Sequence, residues 1–226
     1  MLKFSSNKDW LLITDPKILQ IPIHDNKEPL FDLKLQNIIA FDFNKTSDDY
    51  TKVRKSVYKK LTEAQLLLPN NYKLCLFEGY RSLNMQKKLF QERYEQMKNL
   101  NKNWQHKDIF IETTKFVSPI INLDGSYNVP PHSTGAAIDV CLINNLGEIL
   151  DMGLALSDSF KDHNGSLSAT DSKMISVEAQ SNRKLMSNVL SMVNFINYPS
   201  EYWHWSYGDR YWAYYCNQKF AFYGSI

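Results

Sequence analysis

The sequence predicts an α+β fold, in which one domain over residues 1–226 has a central, mainly antiparallel sheet with helices packed on it. Strand-like apolar runs and amphipathic helical segments are mixed without the regular alternation that marks a parallel sheet. The chain of 226 residues, 43% hydrophobic and 13% aromatic, is long and apolar enough to bury a sizeable core. No internal repeat or low-complexity tract suggests a second unit.

The first half of the chain predicts two strands and two helices. Residues 36–42 form a strand-like run, and apolar residues at helical spacing predict a helix from Tyr50 to Leu68, which Pro69 closes. Residues 72–77 predict a short buried strand that turns into a second helix. The apolar face of this second helix is expected to consist of Leu89, Phe90, Tyr94 and Met97.

The second half begins with an irregular stretch over about 101–131, followed by a strand at 138–143 that is buried on both faces and enters a hairpin. Residues 157–181 are rich in Ser, Asp and Asn and predict a long surface loop, a candidate mobile cover. A third helix is predicted over Arg183–Phe195. The alternation from Glu201 onward predicts a strand that continues into a hairpin.

Composition excludes several classes of partner. The 26 basic and 24 acidic residues leave a net charge of +2, and the basic residues are scattered, so nucleic acid is not an expected partner. Neither a signal peptide nor a run approaching 18 apolar residues is visible, which predicts a cytoplasmic protein without a membrane partner. Cys75, Cys141 and Cys216 are widely spaced and are interpreted as small core residues in a reducing compartment. The oligomeric state stays open.

Three polar residues lie in or beside apolar segments, and a bound metal would explain their presence there. Asp139 lies inside an otherwise apolar strand, where an uncompensated carboxylate would cost several kcal/mol. His204 lies in an aromatic strand, and His132 follows a rigid Pro-Pro turn. Two imidazoles and one carboxylate are a common ligand set for a catalytic zinc, with the fourth position open for water. Taken singly, each of these residues is as readily a hydrogen-bonded core residue.

A metal with an open position needs a base for the proton of the attacking water, and Glu201 is the candidate. In a regular strand residues 201 and 204 point to opposite faces, so the sequence predicts a turn or bulge at Glu201-Tyr202. Gly135 is expected to adopt a tight or left-handed conformation, which would bring His132 and Asp139 to one ion.

These residues resemble the zinc D,D-peptidases that are grouped with the D-alanyl-D-alanine dipeptidases. The resemblance covers about residues 36–215, and its further features favour the dipeptidase branch. The strings that carry it are His132-Ser-Thr-Gly135-Ala-Ala-Ile-Asp139, Glu201-Tyr-Trp203-His204, and Glu78-Gly79-Tyr80-Arg81 followed by Gln86. The resemblance implies that His132, Asp139 and His204 hold one Zn²⁺ and that Glu201 is the general base. It also implies that Arg81 stabilises the charge on the tetrahedral intermediate.

The chain departs from the family's pattern at two places. Pro130-Pro131 replace the Ser-Ser pair that often precedes the first His, and Ser157 stands where an Asp that binds the substrate's ammonium is usual. Asp158, one residue later, is the candidate for that contact, with Ser157 beside it.

The sequence thus predicts a zinc dipeptidase whose partner is a small peptide, D-Ala-D-Ala or a closely related cell-wall dipeptide. One alternative is a D,D- or L,D-carboxypeptidase that trims a longer peptidoglycan peptide. A second alternative is a non-catalytic peptide-binding module, although such a module has no need of Glu201.

Overall fold

The computed structural model describes residues 11–36, 40–41 and 49–226. Its main sheet has five strands in the order β2-β4-β5-β7-β6, and only the β2–β4 pair is parallel. These strands are β2 (Ala40–Phe41), β4 (Tyr72–Glu78), β5 (Ala137–Asn144), β6 (Ile196–Asn197) and β7 (His204–Ser206). A second, two-stranded sheet pairs β1 (Leu30–Asp32) with β3 (Lys52–Arg54). The predicted α+β fold with a mainly antiparallel sheet is therefore confirmed.

Helices surround this sheet. They are α1 (Pro16–Leu19), α2 (Lys55–Leu67), α3 (Leu83–Leu100), α4 (His106–Thr114), α5 (Val177–Met192) and α6 (Arg210–Tyr215). The helices α2 and α5 pack against each other, and α5 also contacts β5. The core between helices and sheet includes Leu61, Leu74, Val140 and Leu190, which are fully buried. As the middle strand of the five, β5 therefore lies within this core.

The two central strands confirm the sequence prediction. Residues 72–77 lie in β4 and residues 138–143 lie in β5, which is buried along all but its last residue. Of the strand predicted at 36–42, residues 40–41 form β2, residue 36 is not in a strand, and the rest lie outside the described residues. Cys75 and Cys141 are buried in the core, as predicted, and Cys216 is half-buried.

The helix predicted from Tyr50 begins only at Lys55. Residues 52–54 instead form β3, in which Val53 pairs with Phe31 of β1. The carbonyl oxygens of Tyr50 and Lys52 accept the amide hydrogens of Gly79 and Tyr80. Since these carbonyls are used in tertiary contacts, the helical spacing of the apolar residues does not become a helix there.

Three further expectations are corrected. The stretch 101–131 contains α4, whose nine residues are too few for a clear apolar period. The third helix begins earlier, at Val177, because Ser176 caps its first turn by accepting the amide hydrogen of Ala179 at 2.9 Å. The strand β7 leads into α6 rather than a hairpin, since Asp209 caps that helix; its hairpin partner, β6, precedes it in the chain.

Candidate metal centre and active site

His132 is placed by a short, rigid loop before β5. Residues Pro131–Thr134 form a single 3₁₀ turn, and Gly135 ends it in the left-handed region at φ +72°. The Gly135 amide donates to the carbonyl of His132 at 3.1 Å. The chain then reverses into β5, which carries Asp139. The tight turn predicted at Gly135 is confirmed.

Asp139 and His204 meet because they are register partners on the antiparallel strands β5 and β7. Asp139 Oδ1 lies 3.2 Å from His204 Nδ1 and 3.3 Å from His132 Nε2. The two imidazole nitrogens are 3.1 Å apart. All three side chains are buried. The three ligand atoms predicted from the sequence therefore form a nearly equilateral triangle.

This triangle fits a zinc ion. Zinc–nitrogen and zinc–oxygen bonds of ~2.0–2.1 Å give a tetrahedron with edges of about 3.3 Å. The carbonyl of Gly79 lies 2.9 Å from His132 Nδ1, and because a carbonyl only accepts, Nδ1 carries the hydrogen and leaves Nε2 as the ligand. Burial raises the pKa of Asp139, but the adjacent His132 and His204 outweigh it and lower that pKa well below its usual value. The carboxylate is thus ready to bind a cation.

Glu201 reaches the same centre through the predicted turn, which is confirmed. Its amide donates to the carbonyl of Tyr198 at 2.9 Å, and the His204 amide donates to the carbonyl of Glu201 at 3.1 Å. Glu201 Oε2 consequently lies 3.9 Å from His204 Nδ1. Burial raises the pKa of Glu201 to about 8, although His204 opposes that rise. A carboxyl group whose pKa lies this close to neutrality can both accept and return a proton.

Arg81 lies just after β4 and faces the candidate metal ligands. Its Nη2 is 3.8 Å from Asp139 Oδ2 and 3.6 Å from Glu78 Oε2, and its Nη1 donates to Gln86 Oε1 at 3.1 Å. Gln86 is in turn fixed by donating to the carbonyl of Ser118 at 2.7 Å. The guanidinium is therefore fixed beside the candidate metal centre, where it could meet negative charge on a bound group.

A cavity of about 120 Å³ opens over this centre, and the three candidate metal ligands, Glu201 and Arg81 all line it. Its other walls come from the loop after α4, from the segment 159–160, and from one face of α3. That face contributes Gln86, Leu89 and Arg93. Arg93 was not predicted from the sequence. It could have been suspected because it lies seven positions after Gln86 and therefore on the same side of the helix.

Ser157 and Asp158 lie elsewhere than the expected contact requires. Both belong to a short 3₁₀ helix over Leu156–Lys161, in which Asp158 forms an ion pair with Lys161 at 2.8 Å. Neither residue lines the cavity, whereas the next two, Ser159 and Phe160, do. The ammonium-binding role of Ser157 and Asp158 stays a prediction. His24, His106 and His163 are exposed, as predicted.

The chain is similar to known proteins over most of its length. A family model described as D-ala-D-ala dipeptidase matches residues 35–224. A D-alanyl-D-alanine dipeptidase from Synechocystis sp. is 25% identical over 92% of this chain and 96% of its own length.

Two solved structures have a partly similar shape. VanYB in complex with D-alanine-D-alanine has a TM-score of 0.48 at 12% identity and covers 89% of this chain and 93% of its own. The LD-carboxypeptidase LdcB has a TM-score of 0.43 at 17% identity and covers 85% of this chain and 76% of its own.

Proposed function

Because the chain belongs to the D-ala-D-ala dipeptidase family, we propose that it hydrolyses the dipeptide D-Ala-D-Ala to two molecules of D-alanine. The zinc metallopeptidase predicted from the sequence is confirmed by this membership and by the buried His-Asp-His group. The observation that carries the proposal is the meeting of that group with Glu201 and Arg81 in one cavity. A binding module would not require the buried carboxylate of Glu201.

The roles of the residues follow from their positions. His132, Asp139 and His204 would hold the zinc, which supplies polarisation of the scissile carbonyl and a lowered pKa for the attacking water. Glu201 removes a proton from the water and returns it to the leaving amine. The Arg81 guanidinium neutralises the charge that grows on the carbonyl oxygen. The turn at Glu201 and the Gln86–Arg81 hydrogen bond keep both groups oriented before substrate arrives.

A carboxypeptidase that trims a longer peptide is the second candidate, and one observation favours it. Asp139 and Glu201 are the only carboxylates among the described residues that line the cavity. A dipeptidase needs a further acceptor for the free ammonium of its substrate, whereas a carboxypeptidase does not. Asp158 would have to move into the cavity to provide it.

The test is product analysis with purified, zinc-loaded protein. D-Ala-D-Ala, its N-acetylated form, L-Ala-L-Ala and a cell-wall pentapeptide are incubated separately, with the Glu201→Gln variant as the control for contaminating peptidases. Cleavage of D-Ala-D-Ala alone supports the dipeptidase. Efficient cleavage of the N-acetylated dipeptide or the pentapeptide would instead establish the carboxypeptidase.

The site of action in the cell is a separate proposal. Within the described part of the chain, every helix is too short or too polar to cross a membrane. Action in the cytoplasm remains a prediction from the sequence. Cell fractionation with antibody detection tests it, and recovery in the membrane or external fraction would contradict it.

A further inference from the structure

Arg93 is a buried cation that the proposed mechanism does not use. It lies on α3, it is 1% exposed, and it lines the cavity that holds the metal ligands. Its guanidinium carbon lies 4.1 Å from the centroid of the Phe116 ring. A charge so deeply buried is costly unless its hydrogen-bonding groups are satisfied.

Only one side of this guanidinium is satisfied. Nη1 donates to Gln96 Oε1 at 2.7 Å and to the carbonyl of Phe160 at 3.2 Å. Nε and Nη2 are buried and have no hydrogen-bond partner among the described residues. The hydrogens of Nε and Nη2 lie on the same edge of the planar group and point in parallel, which is the arrangement that binds a carboxylate in bidentate fashion.

A second arginine in the same chain shows what a structural role looks like. Arg183 is also 1% exposed and stacks on an aromatic ring, with its guanidinium carbon 4.0 Å from the centroid of Tyr202. Its Nε, Nη1 and Nη2 each donate to a backbone carbonyl, at 2.8, 2.6 and 2.8 Å. Each guanidinium nitrogen of Arg183 therefore has a partner in the fold. At Arg93 the Nε and Nη2 atoms have none among the described residues.

The surroundings of that edge favour an anion. Arg93 forms no ion pair with a carboxylate of the described residues. The carboxylates that most affect its pKa through charge are Glu201, Asp162 and Glu112. Glu201 is committed to proton transfer in the proposed mechanism. Asp162 uses one carboxylate oxygen to accept the amide hydrogens of Leu167 and Ser168, at 3.0 and 2.7 Å. The charge of Arg93 is thus available to a ligand.

We infer that Arg93 binds a carboxylate of the peptide substrate through its Nε/Nη2 edge and thereby selects substrates that carry a free carboxyl terminus. This inference rests on the proposed peptidase function, and it holds for a dipeptide and for a longer peptide alike. Arg93 lies seven residues beyond Gln86 on α3, about 10 Å farther along the helix axis. It is consequently separate from the pair formed by Arg81 and Gln86, which stays beside the metal.

The experiment compares each substrate with its carboxyl-terminal amide. Values of kcat/KM are measured for D-Ala-D-Ala and for a wall pentapeptide, as acid and as amide, in wild type, Arg93→Gln and Arg93→Lys. The acid-to-amide ratio is internal to each variant, so partial unfolding does not change it. We expect Arg93→Gln to lower this ratio about 10- to 100-fold, since a hydrogen-bonded charge is lost. Arg93→Lys keeps the positive charge but loses the paired N–H donors, so its acid-to-amide ratio should lie between those of wild type and Arg93→Gln.

Arg183→Lys is the matched control, and it should lower thermal stability without changing the acid-to-amide ratio. An unchanged ratio in Arg93→Gln would overturn the inference and leave Arg93 a positioning residue for Glu201, acting equally on acid and amide.

Measuring substrate binding without cleavage tests this inference separately from the proposed function. Calorimetric titration of the zinc-loaded Glu201→Gln variant, with and without Arg93→Gln, uses the same acid and amide pairs. If wild type cleaves neither peptide, the proposed function fails, while preferential binding of the acids that depends on Arg93 still supports the subsite. Equal binding of acid and amide by Glu201→Gln would overturn the subsite even if cleavage is observed.

Discussion

Replacement of Gly135 by Ala should both destabilise the protein and weaken its zinc binding. At φ +72° an L-residue costs roughly 1–2 kcal/mol relative to its preferred conformation. A Cβ at this position would lie 2.5 Å from Leu30 Cδ2 and 3.4 Å from the Arg54 amide nitrogen. Because the clashing atom is the end of the flexible, half-buried Leu30 side chain, we take the lower part of the usual overpacking range, about 1–2 kcal/mol.

The sum is roughly 2–4 kcal/mol, which for a chain of this size lowers Tm by about 4–16 °C. Zinc affinity should fall as well, because the same turn carries His132 and leads directly to Asp139. Urea denaturation with zinc and with a chelator separates the two effects, and competition with a coloured zinc indicator measures the affinity.

Gly147→Ala is the matched control. Gly147 has φ +81°, but a Cβ there would meet no heavy atom within 4 Å, and the residue lies in the hairpin turn at the far end of β5. It should cost only about 1–2 kcal/mol and leave zinc binding unchanged. If Gly135→Ala proves no less stable than Gly147→Ala and binds zinc equally well, the reasoning about this turn is wrong.

Three other predictions concern the chemistry. Glu201→Gln should retain zinc, measured by metal analysis, yet lose about 10²–10⁴-fold in kcat, because Gln accepts no proton; turnover within a few-fold of wild type would assign the base elsewhere. Arg81→Ala should lower kcat far more than it raises KM, since its contact strengthens as charge develops, and a change in KM alone would make Arg81 a substrate anchor. Zinc at 100 times its Kd should stabilise the protein by about 2.7 kcal/mol, so adding a chelator should lower Tm by roughly 5–11 °C. His204→Ala should show no such zinc-dependent shift in Tm.

The role of Asp158 is a prediction from the sequence alone. Asp158→Ala should lower kcat/KM for D-Ala-D-Ala without removing zinc, if the segment 156–161 moves inward when the dipeptide binds. Asp151→Ala, which alters an exposed carboxylate outside the cavity, is the comparison. Equal activity of the two variants would exclude Asp158 from substrate binding.

The sequence predicted the residues that meet at the candidate metal centre, because polar residues in apolar strands are costly. Asp139 and His204 were candidates because their strand neighbours are apolar or aromatic, and the turn at Glu201 followed from the opposite faces of residues 201 and 204. The ends of the helices were less predictable. The spacing from Tyr50 to Val57 was helical, yet the carbonyls there bond to the backbone after β4.

By itself, then, the sequence determined the central strands, the left-handed turn at Gly135 and the residue types of the metal centre, all of which depend on local pattern. Tertiary structure alone decided that β5 and β7 pair in the register that sets Asp139 opposite His204. It also decided that Nε and Nη2 of Arg93 have no partner among the described residues, while every guanidinium nitrogen of Arg183 has one. Both facts depend on which groups that are far apart in sequence come close together in space. Residue spacing along the chain does not give that separation in space.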